Sequence, residues 1–279
     1  MANKPTRKPG TALVAILLTG AVAGAVVPLL WLLWISFQKP RAIAAPGWNM
    51  ELSLDNFIEV FGPGQVYGQQ MLNSIILVIA ATAICLLVST FAAYSLSQLR
   101  WSPKVVLAVL ALAGLLQVIP PMTLVPGLYA TLTAYNIDGI LFGLILLNIV
   151  FNLPFATIMI KFYFDGLPGE LRESSSLDGA SEFQAFRQIM LPLAGPGIAA
   201  VAIFTAIQVW NEFLFGLIFT TGGSQAPITV GIATLIQPQE IKFGGMAAVG
   251  AVTAIPIIIL AIVANRQIVS GLTRGAVKG

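Results

Sequence analysis

Histidine is missing from this 279-residue chain, cysteine occurs once, and charged side chains make up only 9% of it. Without an imidazole there is no Ser-His-Asp triad, no histidine-held zinc and no histidine-ligated haem, because each needs that ring to carry a proton or bind the metal. The one cysteine, Cys85, closes no internal disulfide and builds no Cys-rich metal site; its simplest reading is a small buried apolar residue. A soluble domain carries about a quarter Asp, Glu, Lys and Arg, so the charge for a water-facing surface is lacking. In its place stand 57% hydrophobic residues and a mean hydropathy of +0.91.

The charges that remain are spaced far apart. None falls between Thr11 and Phe37, Leu72 and Leu99, or Val105 and Ile137, and each run exceeds the roughly 20 residues that cross a bilayer as a helix. Further runs extend from Gly139 to Ile160, from Gly197 to Thr220 with one acidic interruption, and from Phe243 to Asn265, which makes six spans. Pro120 and Pro121 fall inside the third, where they either kink one helix or split the stretch into a re-entrant pair. The first run resembles a secretory signal in its basic start, but at 27 residues it is too long for an apolar core of about 7 to 15, so it is expected to stay as a helix.

Orientation follows from lysine and arginine. With the N-terminus inside, eleven of the fourteen lie on the inner side, and only Lys39, Arg41 and Lys242 lie outside. Basic residues held back by the cytoplasm favour this arrangement, with both termini inside and an even number of crossings. The net charge of +3 thus reflects topology, and no nucleic-acid partner is expected.

The longest inner connection, residues 161–195, reads as two short helices. Pro168 suits a first turn, and Glu170 and Glu173 place negative charge at the positive helix start. Asp178-Gly179 ends that helix. Ser181 begins the next as an N-cap with Gln184 in the capping-box position; Phe183, Phe186 and Met190 form an apolar stripe, and Pro192 is expected to stop it. The product is a helix-turn-helix bracket.

Within this bracket, Glu173-Ser174-Ser175-Ser176-Leu177-Asp178-Gly179, followed after nine residues by Ile189-Met190-Leu191-Pro192, resembles the EAA motif of bacterial ABC-importer permeases, E-A-A-x3-G-x9-I-x-L-P. Ser174 and Ser175 replace the two alanines and are small enough to keep the close packing. Trp210-Asn211-Glu212-Phe213 resembles the W-N-E/D-F of the fifth helix in sugar importers, Pro227-Ile228-Thr229-Val230-Gly231 the loop after it, and residues 271–279 the tail of MalG-type subunits. The chain is thereby identified as similar to MalG-type permease subunits of bacterial carbohydrate ABC importers.

That resemblance implies an all-α membrane protein with six transmembrane helices in the type I ABC importer (MetI-like) permease fold. Residues 1–10 would be a cytoplasmic N-terminus, 11–265 the spanning domain with its coupling loop at 161–195, and 266–279 a cytoplasmic tail in the bacterial inner membrane. It implies half of a carbohydrate translocation pore completed by a MalF-type permease, with two ATPase subunits and an extracytoplasmic sugar-binding protein. No Gly-Lys pair occurs, so the chain has no phosphate-binding loop of the G-x-x-x-x-G-K-[ST] kind. ATP and Mg would be bound by the partner ATPase, with no cofactor and no catalysis here. Arg172, Glu173, Ser174, Ser175, Asp178, Gly179 and Ala180 would contact the ATPase, as would Thr273, Arg274 and Lys278 in the tail.

Polar residues inside the spans offer a substrate path or gate. Glu212 is the only ionisable residue deep in a predicted span, with Asn211 beside it and Trp210 available to a sugar ring. A charge at bilayer depth costs about 2.5 to 3.5 kcal/mol, so it must face water or a partner; a structural clamp between helices would serve equally. Asn148 and Asn152 precede Pro154, and Gln117 precedes Pro120; these line a path or tie helices together. Between Gln38 and Met71, Leu54, Phe57, Ile58 and Phe61 share one side of a short stretch that suits an interfacial helix or a docking surface. An ion-coupled secondary transporter is the alternative, disfavoured by a single intramembrane carboxylate and no evident repeat.

Overall fold

The computed structural model describes residues 9–44, 51–220, 223–237 and 241–275. The chain divides into two units, residues 1–65 with 235–254, and residues 66–234 with 255–279.

In the first unit, α1 (Pro9–Ser36) is apolar all round and its membrane-length window has no buried residue, the signature of a helix whose surroundings are lipid or another chain. A short α2 (Pro40–Ala44) and α3 (Asp55–Phe61) follow. The expected stripe on α3 faces away from the unit: Leu54 and Ile58 are 58% and 64% exposed, while Asn56 and Val60 are buried. Asn56 decides this orientation. Its amide donates to the carbonyls of Ser36 and Gln38, at 3.0 and 2.6 Å, which closes the open C-terminal end of α1. Gly244 permits the contact, since a Cβ there would lie 2.2 Å from the Asn56 Oδ1.

The second unit contains α4 (Tyr67–Gln98), α5 (Pro103–Val118), α6 (Pro121–Ala134), α7 (Leu141–Asp165), α8 (Glu170–Leu177), α9 (Glu182–Ala185), a turn of π-helix (Phe186–Met190), α10 (Leu191–Trp210), α11 (Leu214–Thr220) and α12 (Ile228–Thr234). The last helix, α13 (Phe243–Gly275), has residues in both units. Among the described residues, five helices are long and apolar enough to cross a membrane, and α5 with α6 form a sixth element bent by 97° at the Pro120–Pro121 break. Pro120 and Pro121 therefore split the third run.

Two expected boundaries move. Pro192 does not stop the second bracket helix, because α9, the π turn and α10 run on as one 29-residue element. The wider turn opens the hydrogen-bond ladder at the point where Pro192 offers no N–H. The fifth span accordingly starts at Glu182 rather than Gly197 and breaks after Trp210. Residues 266–275 continue α13 as helix.

The core of this unit lies where α4, α7 and α10 meet. One cluster joins Cys85, Tyr94, Ile160, Phe164, Phe186, Met190 and Val201, and a second joins Leu77, Ala81, Leu144, Leu147, Val209 and Phe215. Small residues set the spacing, as between helices in lipid: at Gly197 a Cβ would sit 2.2 Å from the Tyr163 ring. Cys85 is buried, as its sequence context suggests.

Candidate functional site

Two places gather the predicted residues. The first is the bracket. Helix α8 ends in a Schellman arrangement, in which Ala180 N–H donates to Ser175 O at 3.0 Å and Gly179 N–H to Ser176 O at 3.2 Å. This closure needs a left-handed residue, and Gly179 supplies it at φ +84°. The expected capping box then forms: Ser181 Oγ accepts from Gln184 N–H and Gln184 Oε1 accepts from Ser181 N–H.

The turn presents Glu173, Ser174, Asp178 and Gly179 to the outside, with Leu177 89% exposed at its tip. Ser175 is turned inward and buried, and Ala180 is half-buried. Arg172 is held internally: its Nε and Nη2 donate to the two carboxylate oxygens of Glu182, each at 2.8 Å, a fork geometry that fixes both side chains. That hydrogen bond raises the guanidinium pKa further above its already high value, so Arg172 stays cationic. Tyr94 donates its hydroxyl to the same carboxylate. Phe186 and Met190 carry the buried stripe, whereas Phe183 is 59% exposed.

The second place is a cavity of about 550 Å³ beside the break after α10. Gln117, Asn148, Asn152, Asn211 and Glu212 all line it, drawn together from α5, α7 and the 211–213 break. Trp210 does not; it is buried at 4% exposure and the cavity wall passes it by. Gln208, near the end of α10 and four residues before Glu212, is on the wall instead, and the sequence reading missed it. Phe151, Phe155, Phe204 and Phe213 supply the apolar wall.

Hydrogen bonds separate the two roles weighed for these residues. Glu212 caps α11: its Oε1 accepts from Phe215 N–H at 2.6 Å and its Oε2 from Gly216 N–H at 3.0 Å. The Glu212 carbonyl accepts from the Thr229 hydroxyl at 2.6 Å. Asn148 and Asn152 donate to Leu144 and Asn148 carbonyls within their own helix, so neither ties helices together through these bonds. Gln117 does, donating to the Phe151 carbonyl at 3.1 Å. The amides of Asn148 and Asn152 thus each spend a donor within α7.

The sequence profile of the family described as binding-protein-dependent transport system inner membrane component matches residues 86–274. The chain belongs to this family. Among curated relatives, the trehalose transport system permease protein SugB of Mycobacterium tuberculosis is 34% identical over 95% of the chain and 97% of the relative. The trehalose/maltose transport system permease protein MalG of Thermococcus litoralis is 30% identical over 95% and 96%. A chain of a bacterial ABC transporter that imports the acidic polysaccharide alginate superposes with a TM-score of 0.80 at 17% identity, over 94% of this chain and 99% of that one. An alginate transporter in complex with a pentasaccharide-bound periplasmic protein gives a TM-score of 0.68 at 18% identity, over 92% and 93%.

Membership makes the chain a multi-pass membrane permease of the ABC-importer fold, and the relatives named are transport permeases. No group of three or more Cys, Asp or Glu residues able to hold a metal ion occurs among the described residues. Thr273 and Arg274 fall on the last turn of α13 with side chains outside the described residues, and Lys278 lies outside them altogether.

Proposed function

We propose that this chain is the MalG-type half of a carbohydrate import pore, paired with a MalF-type permease, and that the bracket is where two separate ATPase subunits act on the pore. The observation that carries this reading is the exposed turn at residues 173–179. It combines outward carboxylates at Glu173 and Asp178, an apolar tip at Leu177, and a backbone locked by the Gly179 closure and the Ser181 cap. A rigid turn with charged flanks and an apolar point suits insertion into a cleft of another protein. Closure of the ATPase pair, each binding ATP and Mg, would move the bracket and switch the cavity between inward-open and outward-open states.

The cavity then serves as this subunit's share of the sugar path, with Gln117, Asn148, Asn152, Gln208, Asn211 and Glu212 as polar contacts and phenylalanine faces for sugar rings. Residues 11–265 form the spanning domain, and both termini face the cytoplasm, on the strength of the eleven inner basic residues. Thr273, Arg274 and Lys278 would add a tail contact to the ATPase. An extracytoplasmic sugar-binding protein delivers substrate on the opposite face.

The test uses the complex that co-purifies with the tagged chain, reconstituted in vesicles with its binding protein. Glu173→Lys should abolish sugar uptake while the chain still inserts and ATP is still hydrolysed. Uptake unchanged by that reversal, or uptake driven by an ion gradient without ATP, would overturn the reading.

A further inference from the structure

Helix α4 differs from the other long apolar helices in two ways. The helices α1, α7, α10 and α13 each have an internal proline, at Pro28, Pro154, Pro196 and Pro256, and the bent α5–α6 pair carries Pro126. The 32 residues of α4 include none, and its one glycine, Gly68, is in the first turn. Proline and inserted side chains are what bend helices, so α4 is a stiff rod about 48 Å long.

Its second distinction is that side-chain hydrogen bonds fasten both ends to segments distant in sequence. At one end Tyr94 donates to Glu182, which also takes the Arg172 fork. Packing aims that hydroxyl: the buried Tyr94 ring meets Phe164 edge-on at 5.5 Å and Phe186 at 4.8 Å. At the other end Asn73 Nδ2 donates to the carbonyls of Ser224 and Ala226, at 2.6 and 3.1 Å, and Gln70 Nε2 donates to the Gly223 carbonyl at 3.3 Å. Ser74 Oγ accepts from Ile228 N–H at 2.9 Å. Gly231 packs so near that a Cβ on it would lie 2.0 Å from Gln70 Oε1. Between these ends Leu77, Ala81, Cys85 and Ala93 are buried, so the middle of the rod is held by apolar packing.

We propose that α4 is the strut that carries movement between the bracket and the 223–228 segment, and that Glu182 is the positioning residue clamping α8 to it. The proposal rests on the coupling reading above and adds the route. Moving the bracket pulls on Glu182 through Arg172, and Glu182 pulls on α4 through Tyr94. Because α4 has no internal proline at which to kink, the displacement is passed to Gln70, Asn73 and Ser74, whose bonds hold the 223–228 backbone. Work then flows in the reverse sense as well: a binding protein pressing on that segment would be felt at the ATPase, as linkage requires.

The experiment compares variants of the co-purified complex in vesicles, reading uptake, ATP hydrolysis with and without the binding protein, and sugar imported per ATP. Tyr94→Phe keeps the ring packing and the Arg172–Glu182 pair but removes the bond to α4. It should lower sugar imported per ATP by about tenfold, the scale of one hydrogen bond to a charged group. Asn73→Leu, at the far end, should lower the stimulation of ATP hydrolysis by the binding protein to a similar degree. Arg172→Glu and Glu182→Arg should each uncouple, and the two together should restore most of the uptake, which ties the effect to the pair; a purely structural role is excluded if Tyr94→Phe lowers sugar imported per ATP while the denaturation temperature of the complex is unchanged. Unchanged coupling in both Tyr94→Phe and Asn73→Leu, with the ATPase still bound, overturns the strut alone. Absence of any ATPase in the complex overturns the coupling reading instead. Should the charge reversals fail to assemble, Tyr94→Phe and Asn73→Leu decide.

Discussion

Two glutamates bracket the same helical element, Glu182 at its start and Glu212 just past its end, and their charges are met in opposite ways. Glu182 is 41% exposed in its side chain and takes an arginine fork plus a tyrosine hydroxyl. Glu212 lies among apolar helices and, among the described residues, takes two backbone amides and no cation. Where water is near, a second full charge is inexpensive to station. At the break in the span, the amides that open α11 offer partial positive charge without bringing another ion into apolar surroundings. The difference teaches that the first site ties three side chains together around a full charge, whereas the second settles its carboxylate on the amides at a backbone break.

The largest effect should come from Glu212→Leu, which leaves the Phe215 and Gly216 amides unpaired at a cost of about 3 kcal/mol, visible as a lower denaturation temperature of the purified complex. Glu212→Gln keeps an acceptor oxygen and should retain most of that stability. If both variants lose equally, the carboxylate's charge matters more than its capping, and the contrast with Glu182 fails. Next comes Gly216→Ala, where the added Cβ would lie 2.6 Å from the Pro227 ring; overpacking of this kind costs about 2 kcal/mol, read in the same melting assay. Gly179→Ala meets open space and should cost only the left-handed backbone strain, about 1 to 2 kcal/mol, with Gly179→Asn milder; a large effect from both would mean that the turn is packed rather than merely shaped. Smallest is Ser181→Ala, which removes the cap for about 0.5 to 1 kcal/mol and should leave uptake close to that of the unaltered chain.

The bracket was the most legible part of this fold. Asp178-Gly179, Ser181 and Gln184 act over three or four residues, and local chemistry of that range is written directly in the chain. The spans were legible too, because the absence of charge over 20 or so residues has one physical meaning in water. Less legible were features set by partners far away in sequence. Leu54 and Ile58 share a side that suits an outward-facing helix, but what turns that side away from the unit is Asn56, whose bonds to Ser36 and Gln38 reach far back along the chain. Trp210 looked available for a sugar, yet burial against its neighbours removes it, and Gln208 takes the wall. Nor does the sequence show that Arg172 forks onto Glu182, ten residues on and across the turn. Asn148 and Asn152, four apart on one helix, are on one face by spacing alone, whereas their meeting with Gln117, Asn211 and Glu212 around one cavity depends on packing between elements.

The π turn at Phe186–Met190 has a geometric effect at a distance. An ordinary helix advances about 100° per residue, and one residue extra to its count rotates everything downstream by that angle. Gln208 and Glu212 reach the cavity wall in the phase this insertion dictates. Shortening the 186–190 stretch by a single residue would leave the Asp178-Gly179 turn and the Ser181 cap in place yet swing the Glu212 carboxylate roughly a quarter turn away, so the turn and the cavity lining are indexed to each other by one surplus amino acid.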